Sequence, residues 1–339
     1  MGSPPILPPA MTREDHRGTD APRRGGTFER AEAPEQLVSS ERGSERSGST
    51  FWGLVKLVRP HQWVKNLFVL APLVFSKRLM EVPSVLQAVG AFFLFSLTSG
   101  VVYVFNDLKD IEADRRHPVK RRRPLASGQV SVRAGKAFVM GLGVVALGGG
   151  LAVGFYFGAF LIGYLVLNLF YTLYLKRVPY LDVACIATGF LLGVLAGAAV
   201  VQVDPSLWLI VCTGLLAAFL GLGKRAFELR VLGSEAPSHR AVLAKYRLSH
   251  LNIALLVSGV STLVAYLLYT RSPHTVAFFG THQLIWTAPF PAIGLFRFGM
   301  ILRRGDTNDS PTEEMLKDPL FLINMALWAA SVLAIIYIL

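Results

Sequence analysis

From Ala137 to Leu175 the chain carries no charged residue. Crossing the hydrocarbon core of a bilayer takes about 20 apolar residues of helix, so this run is long enough for two crossings. Val183–Gly223 repeats the pattern, interrupted by Asp204 alone, and Pro319–Leu339 repeats it again. The chain as a whole is 53% hydrophobic and 17% charged, against about a quarter charged in a typical soluble domain. The expected fold is therefore all-α, a polytopic membrane helical bundle.

Apolar runs place about nine transmembrane helices, near 61–76, 84–106, 135–154, 157–175, 181–201, 206–223, 250–270, 281–301 and 319–338. The first is interrupted by Lys65 and the eighth by Arg297. The loops between them alternate in charge. One set carries Lys109, Arg115, Arg116, Lys120–Arg123 and Arg133, then Lys176 and Arg177, then Lys224, Arg225, Arg230, Arg240, Lys245 and Arg247, then Arg303, Arg304 and Lys317. The other set carries only Lys77, Arg78 and Arg271. Basic loops stay on the cytoplasmic side. The expectation is a protein of the inner (cytoplasmic) membrane with its N-terminus and basic loops in the cytoplasm.

That bias accounts for the net charge of +12 without a nucleic-acid role. Residues 1–50 are rich in Pro, Gly, Ser, Arg and Glu and poor in aliphatics. They cannot bury a core, so they are expected to form a disordered cytoplasmic tail, with 51–339 as the transmembrane domain. No apolar stretch in the tail suits a signal peptide. Cys185 and Cys212 both lie in apolar spans and make no zinc spacing.

The polar residues that break these runs carry the chemistry. Asn106, Asp107, Asp110 and Asp114 follow the second span directly. On a continuing helix the three acids fall at i, i+3 and i+7 and share a face. Carboxylates crowded in this way repel one another, and a divalent cation removes that cost. Oxygen ligands suit Mg²⁺, which bridges carboxylates to substrate phosphates. The basic stretch Arg115–Arg123 follows, and Pro118 and Pro124 end the helix. Within it Lys120 and Arg123 are the candidates for phosphate contact, and Arg121 and Arg122 suit a membrane anchor. An acidic face beside cations fits a magnesium–diphosphate.

A second cluster closes the fourth span, with Tyr171, Tyr174, Lys176 and Asp182. Asp182 opens an otherwise uncharged span, where an acid is expensive and often functional; a salt bridge to Lys176 or Arg177 is the plainer reading. A third cluster, Arg59-Pro-His-Gln62-Trp-Val-Lys65-Asn66, opens the first span, where Arg59 and Lys65 could simply snorkel. A fourth lies after the sixth span, with Lys224, Arg225, Glu228 and Arg230, then Lys245-Tyr246-Arg247. These loops are expected to close over a substrate from the cytoplasmic side.

The Asn-Asp-x-x-Asp-x-x-x-Asp run, the nine spans and the acidic site after span 4 resemble the UbiA superfamily of intramembrane prenyltransferases. Within it, the decaprenyl-phosphate phosphoribosyltransferase branch is most similar. That finer likeness rests on Arg59 through Asn66, on His117-Pro-Val-Lys-Arg-Arg-Arg-Pro124 through Gly128, on Tyr174-Leu-Lys176, on Asp182, and on Lys224-Arg225 with Glu228. The resemblance implies catalytic roles for Asp107, Asp110, Asp114, Lys176 and Asp182. It implies metal binding by Asn106 with the three acids of its run. Substrate contacts are implied for Arg59, Gln62, Lys65, Asn66, Asn106, His117, Lys120, Arg123, Tyr174, Lys224, Arg225, Glu228 and Tyr246.

The chain departs from the wider superfamily at Asp182, where the residue four places on is Ile186 rather than a second acid. The implied reaction is then Mg²⁺-dependent transfer of 5-phosphoribosyl from phosphoribosyl diphosphate (PRPP) to a polyprenyl phosphate, feeding cell-wall arabinan in the resembling family. The alternatives are a prenyltransferase using an aromatic or other small acceptor, and an ion-coupled transporter. A transporter would hold its polar site near mid-membrane, whereas these acids lie at span ends.

Overall fold

The computed structural model describes residues 50–233, 241–304 and 311–338. Apart from Thr50, the tail expected over 1–50 lies outside these residues, as does Arg240. Helix α1 (50–57) is followed by a 3-10 segment, Pro60–Leu70, and the short helix α2 (Ala71–Phe75). Then come α3 (Val82–Lys109), α4 (Ile111–Arg116), α5 (Val132–Val153), α6 (Phe155–Leu173), α7 (Leu181–Val200) and α8 (Leu207–Leu232). The chain closes with α9 (Leu248–Arg271), α10 (Pro273–Phe279), α11 (Pro289–Arg304), α12 (Pro311–Lys317) and α13 (Pro319–Tyr337). Among the described residues eight helices are long and apolar enough to cross a membrane: α3, α5, α6, α7, α8, α9, α11 with the 3-10 turn before it, and α13.

Helix starts follow the sequence. Ser131, Ser206 and Asp318 precede α5, α8 and α13, and each side chain accepts from a backbone N–H three residues on. Such caps satisfy donors that the first helical turn leaves open.

The first expected crossing, 61–76, is not an α-helix. Arg59 takes a left-handed conformation (φ 51°) before Pro60, and eleven residues of 3-10 geometry follow. Runs that long are uncommon. This one is held by packing between α3 and α7. A Cβ on Gly197 of α7 would lie 1.9 Å from the Val69 carbonyl oxygen, so only glycine lets the two backbones approach. The segment still traverses the bundle. Its Arg59 end bonds Asp107 at the end of α3, and its far end places Lys77 on the Phe279 carbonyl and Arg78 on the Val201 carbonyl. At about 2.0 Å rise per residue, the 3-10 stretch gains the length that sixteen α-helical residues lack.

Two further boundaries differ from expectation. The sixth span continues to Leu232, so Lys224, Arg225, Glu228 and Arg230 sit on the last turns of α8 rather than in a loop. Buried Ala226 and Phe227 supply the apolar face that keeps this stretch helical. The eighth span is split into a 3-10 turn, Gln283–Thr287, and α11. Its Arg297 forms a two-pronged ion pair with Asp318 at 3.1 and 2.6 Å, which compensates a charge inside a span.

The core sits where the segment Pro60–Leu70 meets α3, α6 and α7, around Val69, Phe95, Phe157 and Leu161. A second packed region joins α8, α11 and α12 through Phe219, Phe298, Leu302 and Met315. Helices α5 and α13 present mostly exposed apolar faces, as lipid-facing helices do.

Candidate active site

Asn106 and Asp107 occupy the last turn of α3, which ends at Asp110 (φ −98°, ψ 10°) before α4 begins. One unbroken helix was expected here. The break is slight, because the Asp110 N–H still bonds the Asn106 carbonyl at 2.9 Å and the Asp114 N–H bonds the Asp110 carbonyl at 2.8 Å. Asp107 and Asp114 therefore face the same space, and both are nearly buried, at 3% and 4% exposure.

Two arginines meet them. Arg59 Nη2 donates to Asp107 Oδ1 at 2.7 Å, and its guanidinium lies 5.1 Å from the centre of the Tyr103 ring. Arg123 Nη1 donates to Asp107 Oδ1 at 3.0 Å and to Asp114 Oδ2 at 2.7 Å. A buried carboxylate without such partners would be strongly destabilising. Among the described residues no hydrogen bond reaches Asp107 Oδ2 or Asp114 Oδ1, and the partly exposed Asp110 carboxylate has neither hydrogen bond nor ion pair.

Asn106 has another partner. Its Oδ1 accepts from Thr172 Oγ1 at 2.8 Å, and Lys109 Nζ donates to the Thr172 carbonyl at 3.2 Å. Together these pin the end of α3 to the end of α6. Among the described residues no three His, Cys, Asp or Glu side chains gather as a ready-made metal cage. The open oxygens of Asp107, Asp110 and Asp114 nevertheless have the right chemistry for Mg²⁺, which is held by one or two carboxylates with substrate phosphates completing its shell.

The following loop is shaped by His117, whose Nδ1 accepts from the N–H groups of Val119 and Lys120 at 3.2 and 3.3 Å. Lys120, Arg121 and Arg122 form a short exposed 3-10 turn. Arg123 turns back onto the acids while Lys120 stays exposed, so the two candidates for phosphate contact part company.

The second acidic site is a closed network. Asp182, at 0% exposure, accepts from Arg225 Nε at 2.6 Å and from the Tyr246 hydroxyl at 2.5 Å. Arg225, itself 1% exposed, also bonds Glu228 at 2.6 Å and Tyr171 at 3.4 Å. Tyr246 accepts from the Tyr180 N–H at 2.6 Å, and Tyr180 is left-handed at φ 64°. The plainer sequence reading of Asp182 is a salt bridge to Lys176 or Arg177. Arg225 takes their place because α8 runs on far enough to bring it level with the start of α7. Burial, reinforced by the bond to Asp182, pushes the Tyr246 phenol well above its usual range, so it remains a donor. Lys176 is partly exposed on the 3-10 turn Leu175–Arg177, Lys224 is partly exposed on α8, and Tyr174 is 63% exposed.

The Arg59–Asn66 group divides. Gln62 Nε2 donates to Glu313 Oε1 of α12 at 3.4 Å, and Lys65 lies within electrostatic reach of Glu313 and Arg59. Asn66 is buried, bonding Ser96 Oγ at 3.0 Å and accepting from Ser99 at 3.4 Å. Ser96 lies about 16 Å of helix rise from Asp107, so Asn66 locks the crossing segment to α3 well away from the acidic end. Glu313 and Thr172 went unnoticed in the sequence. Glu313 had a signal, an acidic pair among otherwise basic loops; Thr172, inside an apolar run, had none.

Comparison with known proteins agrees with this architecture. The UbiA prenyltransferase family matches residues 68–324. A decaprenyl-phosphate phosphoribosyltransferase of Corynebacterium glutamicum is 30% identical over 84% of this chain and 87% of its own. One from Mycolicibacterium smegmatis is 31% identical over 84% and 92%. A UbiA homolog from Archaeoglobus fulgidus, solved bound to GPP and Mg²⁺, superposes with a TM-score of 0.64 over 84% of this chain and all of that one, at 19% identity. A family match over three quarters of the chain, relatives aligned along most of their length and a shared helical fold lead to one conclusion: this chain belongs to the UbiA prenyltransferase family.

Proposed function

We propose that this protein transfers a 5-phosphoribosyl group from PRPP to a polyprenyl phosphate at the cytoplasmic face of the membrane, releasing diphosphate. The observation that carries the reading is the meeting of Asp107 and Asp114 with Arg59 and Arg123 at the basic end of the bundle. Carboxylates that suit Mg²⁺ and guanidiniums that suit a diphosphate share one site. The relatives named decaprenyl-phosphate phosphoribosyltransferase support a phosphoribosyl transfer and a polyprenyl-phosphate acceptor; PRPP as donor is the reading that suits a site fitted to a magnesium–diphosphate.

In the reaction an oxygen of the lipid phosphate bonds the anomeric carbon. The bond from that carbon to the diphosphate oxygen breaks, and the electron pair leaves with the diphosphate. Mg²⁺, held by Asp107, Asp110 and Asp114, would neutralise charge on the departing diphosphate. Arg59 and Arg123 supply positive charge where the leaving oxygens become more negative, the place where electrostatic help lowers a barrier most. The acceptor is already anionic, so no side chain need act as a strong general base. The exposed Lys120, on the turn that leads to Arg123, adds positive charge that attracts an anionic substrate. The basic loops argue for the cytoplasmic side, where a soluble phosphorylated donor is available.

A second reading is prenyl transfer from a prenyl diphosphate to a small acceptor, favoured by the A. fulgidus fold relative solved with GPP. Against it, the Asp182 carboxylate is committed to Arg225 and Tyr246, leaving little to hold a second metal. Donor choice separates the two. With PRPP and a prenyl diphosphate supplied together, the protein should consume PRPP in the presence of polyprenyl phosphate. Consumption of the prenyl diphosphate with PRPP left intact would reverse the assignment.

A further inference from the structure

Arg123 Nη1 lies between two carboxylates that belong to different helices, Asp107 on α3 and Asp114 on α4. The same two carboxylates are among the residues that would hold a divalent cation. The two arginines at this site are anchored differently. Arg59 sits on a left-handed backbone, stacks near Tyr103 and is 20% exposed. Arg123 caps a three-residue 3-10 turn, has a side chain 31% exposed, and among the described residues pairs through its side chain only with the two acids. Arg59 is thus held by an aromatic ring as well as by Asp107, whereas Arg123 is held through the two acids.

We propose that Arg123 is a cationic placeholder: its guanidinium neutralises Asp107 and Asp114 until a divalent metal arrives, then transfers to the diphosphate the metal brings. The inference rests on the metal–diphosphate reading of this site and adds a coupling to it. Metal alone must displace an arginine from two nearly buried acids and leave that arginine without a partner. Metal with diphosphate displaces the arginine and gives it a bidentate anion, which suits a guanidinium fork better than a shared carboxylate oxygen. Metal and diphosphate therefore strengthen one another, and the gain is the same in both directions. The arrangement keeps the acids from collecting free divalent ions and ties occupation of the site to arrival of the donor. Arg122, next in the chain, has the same charge but is exposed and touches neither acid, so it should have no part in the exchange.

The test is metal binding rather than turnover. The detergent-solubilised protein is equilibrated with Mn²⁺ as a spin-detectable substitute, with and without inorganic diphosphate, and bound metal is counted after correction for metal–diphosphate in solution. Arg123→Gln should tighten diphosphate-independent Mn²⁺ binding about tenfold, within the usual range of coupling between two sites, and shrink the enhancement by diphosphate. Arg122→Gln removes the same charge from the same loop and should leave both quantities near wild type. If Arg123→Gln binds metal alone no better than wild type, or if Arg122→Gln improves it equally, the placeholder is wrong while the metal site stands. If wild type binds no metal even with diphosphate, the reading of the site falls and the placeholder with it. The wild-type comparison needs no variant, so a poorly folding Arg123→Gln would not shield the proposal: equal metal affinity with and without diphosphate in wild type overturns it.

Discussion

Arg225 and Asp182 form an ion pair sealed inside the bundle, with Arg225 Nε 2.6 Å from Asp182 Oδ2 and both side chains all but excluded from solvent. The pair joins α7 to α8, and Tyr246 adds the loop before α9. Removing one partner strands a buried charge, which costs about 3–5 kcal/mol. Arg225→Met should therefore lower the thermal midpoint in detergent sharply, and Arg225→Met with Asp182→Leu should recover much of the loss. A double variant as unstable as the single one would show that the charges do more than satisfy each other.

Asn66 was expected to bind substrate and is instead buried against Ser96 and Ser99. Asn66→Ala should cost about 1–3 kcal/mol of stability through the unpaired polar groups it leaves. The KM for donor should stay within about twofold in the folded fraction. A large rise in KM without loss of stability would return Asn66 to the binding site.

Gly197 meets the Val69 carbonyl so closely that a methyl group has no room. Gly197→Ala should push the 3-10 segment away from α7, at a cost of about 1–3 kcal/mol or more. Because Arg59 begins that segment and reaches Asp107, turnover should fall as well, although Gly197 lies at the far end of the crossing. Unchanged melting and activity would show that the segment tolerates displacement.

Asp107 has two arginines on one oxygen and an open second oxygen. Asp107→Asn keeps the shape and removes the charge. It should lower turnover by about 10²–10³, the scale for loss of one preorganised electrostatic group, and leave the protein folded by size exclusion and circular dichroism. Activity near wild type would remove Asp107 from the chemistry.

Most of the bundle was legible in the sequence because hydrocarbon enforces one rule along most spans: long apolar helices with charge kept toward their ends. The first crossing was placed correctly in the chain but not in its conformation. Nothing local in Pro60–Leu70 announces 3-10 geometry, which depends on Gly197 standing opposite Val69, more than a hundred residues away. The acidic run at 106–114 was legible for the same local reason, helical spacing. Its partners were legible only as residue types. Arg59 and Arg123 were both candidates, but the choice of Arg123 over Lys120 is made by the turn that His117 shapes. Arg225 as the partner of Asp182 depends on where α8 ends, and helix ends are what apolar periodicity defines least well.

The central claim is tested most directly by supplying the purified protein with Mg²⁺, PRPP labelled in its ribose, and polyprenyl phosphate, and following label into the organic-extractable lipid. A labelled lipid should form only when both substrates are present and should vanish on chelation of the metal. Folded, metal-replete protein that leaves all label in the aqueous phase would contradict it.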